Sequence, residues 1–327
     1  MDFDLTEDQR EIKGVARELL AARSPLARVR AAAESREYDP SLWSEIVGLG
    51  WPGIAVAEEY GGQGLGAVEL AVLLEELGYA CAATPFLSSG LAAAVIQATG
   101  SGEQRSRWLP GLASGELTAG LGPRALVLDG DGADVAVVLE GDEALLVTAP
   151  EAELVETIDP TRRFARVRGD GERLAPGAAA RALAGIAAEM VGVCQRSLEM
   201  TLEYVKDRKQ FGVPVGSFQA VAHRCAQMLL YTESARSTAY FAAWAADADP
   251  ERLGEAGALA AAAAAGGGRD VAASAIQAHG GIGFTWEADV HWFYKRAQLN
   301  AVLLGGTGRH HAVLARAAAG RVALPAG

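Results

Sequence analysis

Between residues 119 and 178 this chain changes period, and that change bounds what it can fold into. On both sides apolar residues recur at the three-to-four spacing of a helix face. Inside, RALVLDGDGADVAVVLEGDEALLVTAP sets short β-branched and leucine runs between the turn signals DGDG and EGDE, and ETIDPTRRFARVRG continues in the same way. A chain that reads helix, hairpins, helix is neither a single bundle nor a single sheet. The expectation is a mainly α protein with a small β-domain of about five short strands: residues 1–118 helical, 119–178 β, and 179–327 a four-helix bundle.

Local signals agree with that division. Thr6 and Gln9 have the spacing of a capping box, and Ile12, Val15, Leu19 and Leu20 then follow one helix face. PSLWSEIVGLG repeats the pattern with Leu42, Trp43, Ile46, Val47 and Leu49, and Gly50 stands where a C-terminal cap belongs. Gly62, Gly64 and Gly66 read as turn residues, because no strand precedes them and their spacing is not that of a dinucleotide loop. GALAAAAAAGGG, residues 257–268, is too short and too weakly apolar to span a bilayer and reads as a packed helix ending or interrupted at its glycines.

Composition excludes several roles. With 29 basic against 41 acidic residues, a formal charge of −12, nucleic acid is not the expected partner. Cys81, Cys194 and Cys225 lie far apart with no metal-type spacing and read as buried reduced thiols. The N-terminal MDFDLTEDQREIKG is acidic where a signal peptide would be basic and then apolar, and no run is apolar enough to insert in a membrane. A cytoplasmic protein is expected.

Four stretches then converge: LWSEIVGLGWPGIAVAEEYGGQGLG and EQRSRWLPGLASGEL in the first part, YVKDRKQFGVPVGSFQAVAHRCAQM and QAHGGIGFTWEADVHWFYKRA in the last. In this order they resemble the acyl-CoA dehydrogenase family over essentially the whole chain. The resemblance implies an N-terminal helical domain, a middle β-barrel and a C-terminal four-helix bundle. It also implies FAD-dependent α,β-dehydrogenation of an acyl-CoA thioester: a carboxylate takes the α-proton, the β-hydrogen leaves as hydride to the flavin, and a separate acceptor protein later takes the electrons. In DRKQFG it assigns Arg208 to the FAD pyrophosphate, with Gln210 and Phe211 beside the adenosine half, usually for the flavin of a neighbouring subunit. Gln219 is assigned to the adenine. Gln277, Gly280 and Gly281 are assigned to the ribityl and pyrophosphate region, where glycine admits close backbone approach.

The chain also departs from the family. LLGGTG aligns with a Glu-Gly-Thr motif whose glutamate is the base; Gly305 stands in its place, and Thr307 keeps the threonine, a cofactor contact. A second base position, on the preceding helix, falls on Gly266. Asp270, one turn further along the same face, is a substitute with a shorter side chain. Glu287 and Asp289 are other nearby acids that match no family base. The β-domain is reduced: TAGLGPRALVL replaces one flavin-ring stretch and nothing replaces a second. These departures match short family members that assemble as heterotetramers, one kind of subunit carrying the base and the other completing the FAD site. Two alternatives stay open: a self-sufficient homo-oligomer, acting on an acyl-CoA or an acyl carrier protein with Asp270 as base, and a flavin-free scaffold. No residue identifies the acyl group or the electron acceptor.

Overall fold

Thr6 caps the first helix as its spacing predicts: its side chain accepts from the Gln9 N–H, and the Gln9 side chain returns to the Thr6 N–H at 3.0 Å. In the computed structural model, which describes residues 4–322, six helices follow in the N-terminal part. They are α1 (Glu7–Arg23), α2 (Leu26–Ser35), α3 (Pro40–Gly48), α4 (Ala67–Ala80), α5 (Phe86–Thr99) and α6 (Gly102–Ser114). Gly50 follows α3 with φ 71°, the left-handed conformation that ends a helix. Gly62, Gly64 and Gly66 lie in the turn before α4, as expected.

The β-domain has seven strands rather than about five. They are β1 (Ala119–Pro123), β2 (Val127–Leu128), β3 (Val135–Glu140), β4 (Glu143–Thr148), β5 (Glu151–Val155), β6 (Phe164–Arg168) and β7 (Glu172–Arg173), in the order β5-β6-β2-β1-β3-β4-β7. The two additions, β2 and β7, are two-residue strands too short to show a period. EGDE closes a hairpin: Glu140 pairs with Glu143 and Gly141 takes φ 67°. DGDG does not. β1 pairs antiparallel with β2 but parallel with β3, so the chain crosses over at residues 129–132 instead of turning back. The reason is Asp129, buried at φ 54°, whose carboxylate accepts from Tyr38 and from Ser88 of α5 and ties this segment to the helical domain.

The C-terminal part has five helices, one more than expected: α7 (Ala178–Asp207), α8 (Gln219–Ala248), α9 (Leu253–His279), α10 (Val290–Leu303) and α11 (Thr307–Val322). A two-stranded hairpin, β8 (Lys209–Gln210) with β9 (Val213–Pro214), joins α7 to α8. The alanine-rich run neither ends nor breaks at its glycines, since α9 continues through Gly266, Gly267 and Gly268. Close packing accounts for this. A Cβ on Gly268 would stand 2.6 Å from Met190 of α7, so the bare backbone lets the two helices approach. The three cysteines are buried and free. No helix among the described residues is long and apolar enough to cross a membrane.

Candidate active cleft and dinucleotide surface

Gly305 and Gly306 end α10. The Gly305 N–H donates to the Val302 carbonyl at 2.9 Å and the Gly306 N–H to the Ala301 carbonyl at 3.1 Å. This pair of bonds, with φ 79° at Gly305 and 70° at Gly306, is a Schellman closure. Two successive left-handed residues favour glycine strongly, and α11 starts at once with Thr307.

The turn forms the floor of a cleft of about 1170 Å³. Gly266, Arg269, Asp270 and Ala273 of α9 form one wall, Tyr294, Gln298 and Val302 of α10 another, and Val155 to Ile158 of the β-domain the third, with Gly305, Gly306 and Thr307 between them. The structure therefore brings both of the positions that the resemblance gives to a base, together with Asp270, into one cavity. Gly266 sits against the floor, where a Cβ would be 3.2 Å from Thr307 Cγ2. Arg269 donates from Nε to Gln298 at 3.0 Å across the rim, and Asp270 is exposed beside it. Glu287 and Asp289 do not line the cleft; Asp289 pairs with Arg30 at 2.9 Å and accepts from Trp292 Nε1 at 3.2 Å.

Behind the cleft lies a buried polar network that sequence reasoning missed. Arg296 of α10, fully enclosed, donates to Asp159 at 2.7 Å, Thr161 at 2.6 Å and Glu189 of α7 at 3.1 Å. Arg162 donates to Glu189 and, at 2.8 Å, to Asn300, whose amide returns to Glu189 at 2.7 Å. Two guanidinium groups thus balance two carboxylates. The arginines hold Asp159 below the usual carboxylate range against the opposing effect of burial. Residues 155–158 line the cleft and Asp159, Thr161 and Arg162 directly after them join the network, while α10 presents Tyr294, Gln298 and Val302 to the cleft and Arg296 and Asn300 to the network, so the network anchors two of the three walls. Its signals in the sequence were charges inside largely apolar helix stretches, Glu189 in GIAAEMVGVC and Arg296 in the helix that follows Asp289.

The other assigned residues gather at the far end of the bundle. Gly280, just past the end of α9, is fourteen residues from Gly266, about 21 Å at 1.5 Å per residue. At that end α7 gives way to the β8–β9 hairpin, where Arg208, Gln210 and Phe211 are exposed, Phe211 at 94% with φ 53°. The Val215 N–H donates to the Arg208 carbonyl at 2.7 Å, which folds the chain back and starts α8 with Gln219 beside the hairpin, also exposed. Gln277, Gly280 and Gly281 are exposed at the end of α9. A Cβ on either glycine would meet nothing within 4 Å, so the backbone there faces open space. The rings of Tyr204 on α7 and His279 on α9 stack at 4.5 Å and 20°, so these two helix ends adjoin. Within one chain, then, the cleft, with Thr307, and the remaining residues that the resemblance assigns to FAD form two separate groups.

Models of the N-terminal and C-terminal domains of acyl-CoA dehydrogenases match residues 6–116 and 169–319. Acyl-CoA dehydrogenase IpdE2 of Mycobacterium tuberculosis is 37% identical over 312 residues, 91% of this chain and 93% of its own. IpdE2 of Mycolicibacterium smegmatis is 34% identical over 310 residues, with 92% and 96% covered. Among solved structures, a chain of the ChsE4–ChsE5 complex from Mycobacterium tuberculosis superposes with TM-score 0.88 at 27% identity, 100% of both chains covered. The chain belongs to the acyl-CoA dehydrogenase family.

Proposed function

We propose that this chain is the base-less subunit of a heteromeric FAD-dependent acyl-CoA dehydrogenase, working in the cytoplasm with an electron-acceptor protein. The observation that carries the reading is the contrast between its two groups of residues. The cleft has glycine at both base positions, and one of these is a helix stop. The bundle end keeps an exposed guanidinium, Arg208, an exposed ring, Phe211, and open backbone at Gly280 and Gly281. That set fits the pyrophosphate and adenosine of FAD: a guanidinium fork matches phosphate oxygens, and bare backbone admits close approach. When bound, FAD would accept the β-hydrogen of the acyl thioester as hydride. Arg208 would neutralise the pyrophosphate, Gln210 and Gln219 would offer amides to the adenosine half, and Phe211 would shield it from water. Thr307 would face the flavin from the cleft floor. The ChsE4–ChsE5 complex, a two-component relative, supports a related subunit as partner. The steroid ACAD Tcur3481–Tcur3483, 28% identical at TM-score 0.87, supports a bulky, ring-bearing thioester.

The exposure of Asp270 in the cleft favours a second reading, a homo-oligomer with that carboxylate as base. One measurement separates the two: the flavin-to-chain ratio of the protein purified alone and co-expressed with a related base-bearing subunit. Flavin near one per two chains, and only in the mixed complex, is expected. One flavin per chain in a self-assembled protein that oxidises a thioester sinks the proposal in favour of Asp270. A colourless protein in both preparations sinks both and leaves a scaffold.

A further inference from the structure

Two loops of the dinucleotide surface leave from different helices, and one contact joins their roots. Tyr204 lies one turn before the end of α7, and its carbonyl accepts the N–H of Arg208 at 2.9 Å, the last helical bond before the chain turns extended at φ −68°, ψ 123°. His279 is the last residue of α9, immediately before Gly280 at φ 65°, ψ −143°. The two rings lie 4.5 Å apart and 20° from parallel, with His279 only 7% exposed. The imidazole cannot turn freely: Nδ1 lies 2.8 Å from the Ala275 carbonyl, an acceptor only, so this nitrogen carries the proton. The turn that follows is packed on the same residue, since a Cβ on Gly283 would stand 3.0 Å from His279 Cβ.

We infer that the Tyr204–His279 ring pair is a positioning device that holds the Arg208 hairpin and the Gly280–Gly281 turn at the spacing needed to clasp one dinucleotide. This rests on the reading of that surface as a flavin-contact surface. Elsewhere α7 and α9 meet through small residues and Met190, close contacts that set the distance between the helices but lie away from the two loops. A flat stack at the helix ends fixes separation and tilt together. Because a pyrophosphate must be met from both loops at once, the stack acts on affinity for the dinucleotide while touching no part of it.

The test uses the flavin-loaded protein in whichever assembly holds FAD, with Tyr204→Phe, Tyr204→Ala, His279→Ala and, as a reference, Arg208→Ala. The readouts are the FAD dissociation constant, the visible circular dichroism of the bound flavin, kcat at saturating FAD, and the melting temperature of the FAD-free protein. Tyr204→Phe keeps the stack and is expected to hold FAD within about twofold of the parent. Both alanine variants are expected to bind it about tenfold more weakly and to alter its dichroism, with kcat at saturating FAD unchanged and the FAD-free melting temperature lowered by no more than about 3 °C, too little to unfold the FAD-free protein at the assay temperature. Unchanged FAD affinity in His279→Ala overturns the inference. So does a fall in the FAD-free melting temperature that accounts for the lost affinity, because the pair would then be ordinary packing. If Arg208→Ala also leaves FAD unaffected, or if no assembly binds FAD, the flavin-contact reading itself fails. If Arg208→Ala weakens FAD and the ring variants do not, the ring pair alone is wrong.

Discussion

Replacing Gly305 tests whether it is a helix stop or an emptied catalytic position. At φ 79° it lies in the left-handed region, where a residue with a Cβ is disfavoured by ~1–2 kcal/mol. Its Cβ would have room, since the nearest atom outside the local turn is His310 Nε2 at 3.8 Å, so strain rather than collision sets the cost. Gly266 is the opposite case. It is helical, so alanine there gains about 1 kcal/mol of helix propensity and has only to displace Thr307 Cγ2, at 3.2 Å, by a few tenths of an ångström. Gly305→Glu and Gly305→Ala are therefore expected to lose ~1–2 kcal/mol, Gly305→Asn clearly less, and Gly266→Ala little or nothing. Thermal unfolding followed by circular dichroism resolves this, at about 1.5 °C per kcal/mol for a chain of 327 residues. If Gly305→Ala melts with or above the parent, the Schellman closure is not what requires glycine. If Gly305→Glu is equally stable and its flavin bleaches with an acyl-CoA, position 305 is a catalytic position that lost its side chain and the helix-stop reasoning is refuted.

Two further perturbations follow from buried charge. Burial pushes the Asp129 carboxyl up to about 6, against the hydrogen bonds from Ser88 and Tyr38 that oppose the rise. A folded pKa above the unfolded one means that the protonated form is favoured by folding, so stability is present at low pH and is lost as pH rises through about 6. Relative to Asp129→Asn, which does not titrate, the parent is expected to lose about 2 kcal/mol between about pH 4.5 and 7.5 in urea unfolding; parallel profiles would show that Asp129 does not titrate there. Glu189→Gln leaves Arg162 and Arg296 facing Asp159 alone and is expected to cost ~3–5 kcal/mol, whereas Glu45→Gln, which breaks the exposed pair with Arg23, costs less than about 1. Equal denaturation midpoints for the two variants would show that the buried network is not what locks the cleft walls.

What the sequence showed and what it hid divide by range. The capping box at Thr6 and the hairpin at EGDE rest on contacts within a few residues, and each stands in the structure. The crossover at DGDG was misread because the deciding partners of Asp129 are Tyr38 and Ser88, 91 and 41 residues away. The continuity of α9 was misread for the same reason: glycine costs helix propensity locally, and the offset, close approach to Met190 of α7, lies outside any local window. The network of Asp159, Glu189 and Arg296 spans similar separations, so its charges showed in the sequence but not their pairing.

The LLGGTG stretch combines both kinds of signal. Locally it is a helix end, and the structure shows one, with two left-handed glycines and a new helix at Thr307. At long range the same turn is the floor of a cleft whose opposite wall carries another glycine, Gly266, against Thr307. A helix stop needs a left-handed residue at 305 but requires nothing at 266, where any helix former would serve the helix better. A helix stop accounts for the glycine at 305, whereas at 266, the other place where the resemblance puts a base, a Cβ would meet only Thr307 Cγ2 at 3.2 Å, so neither helix propensity nor packing requires glycine there. The cleft is bounded by a buried, charge-balanced network and carries no carboxylate at either position. Such a cleft is built to hold its shape, and under the proposed function the proton would have to be taken by Asp270 or by a residue of another subunit.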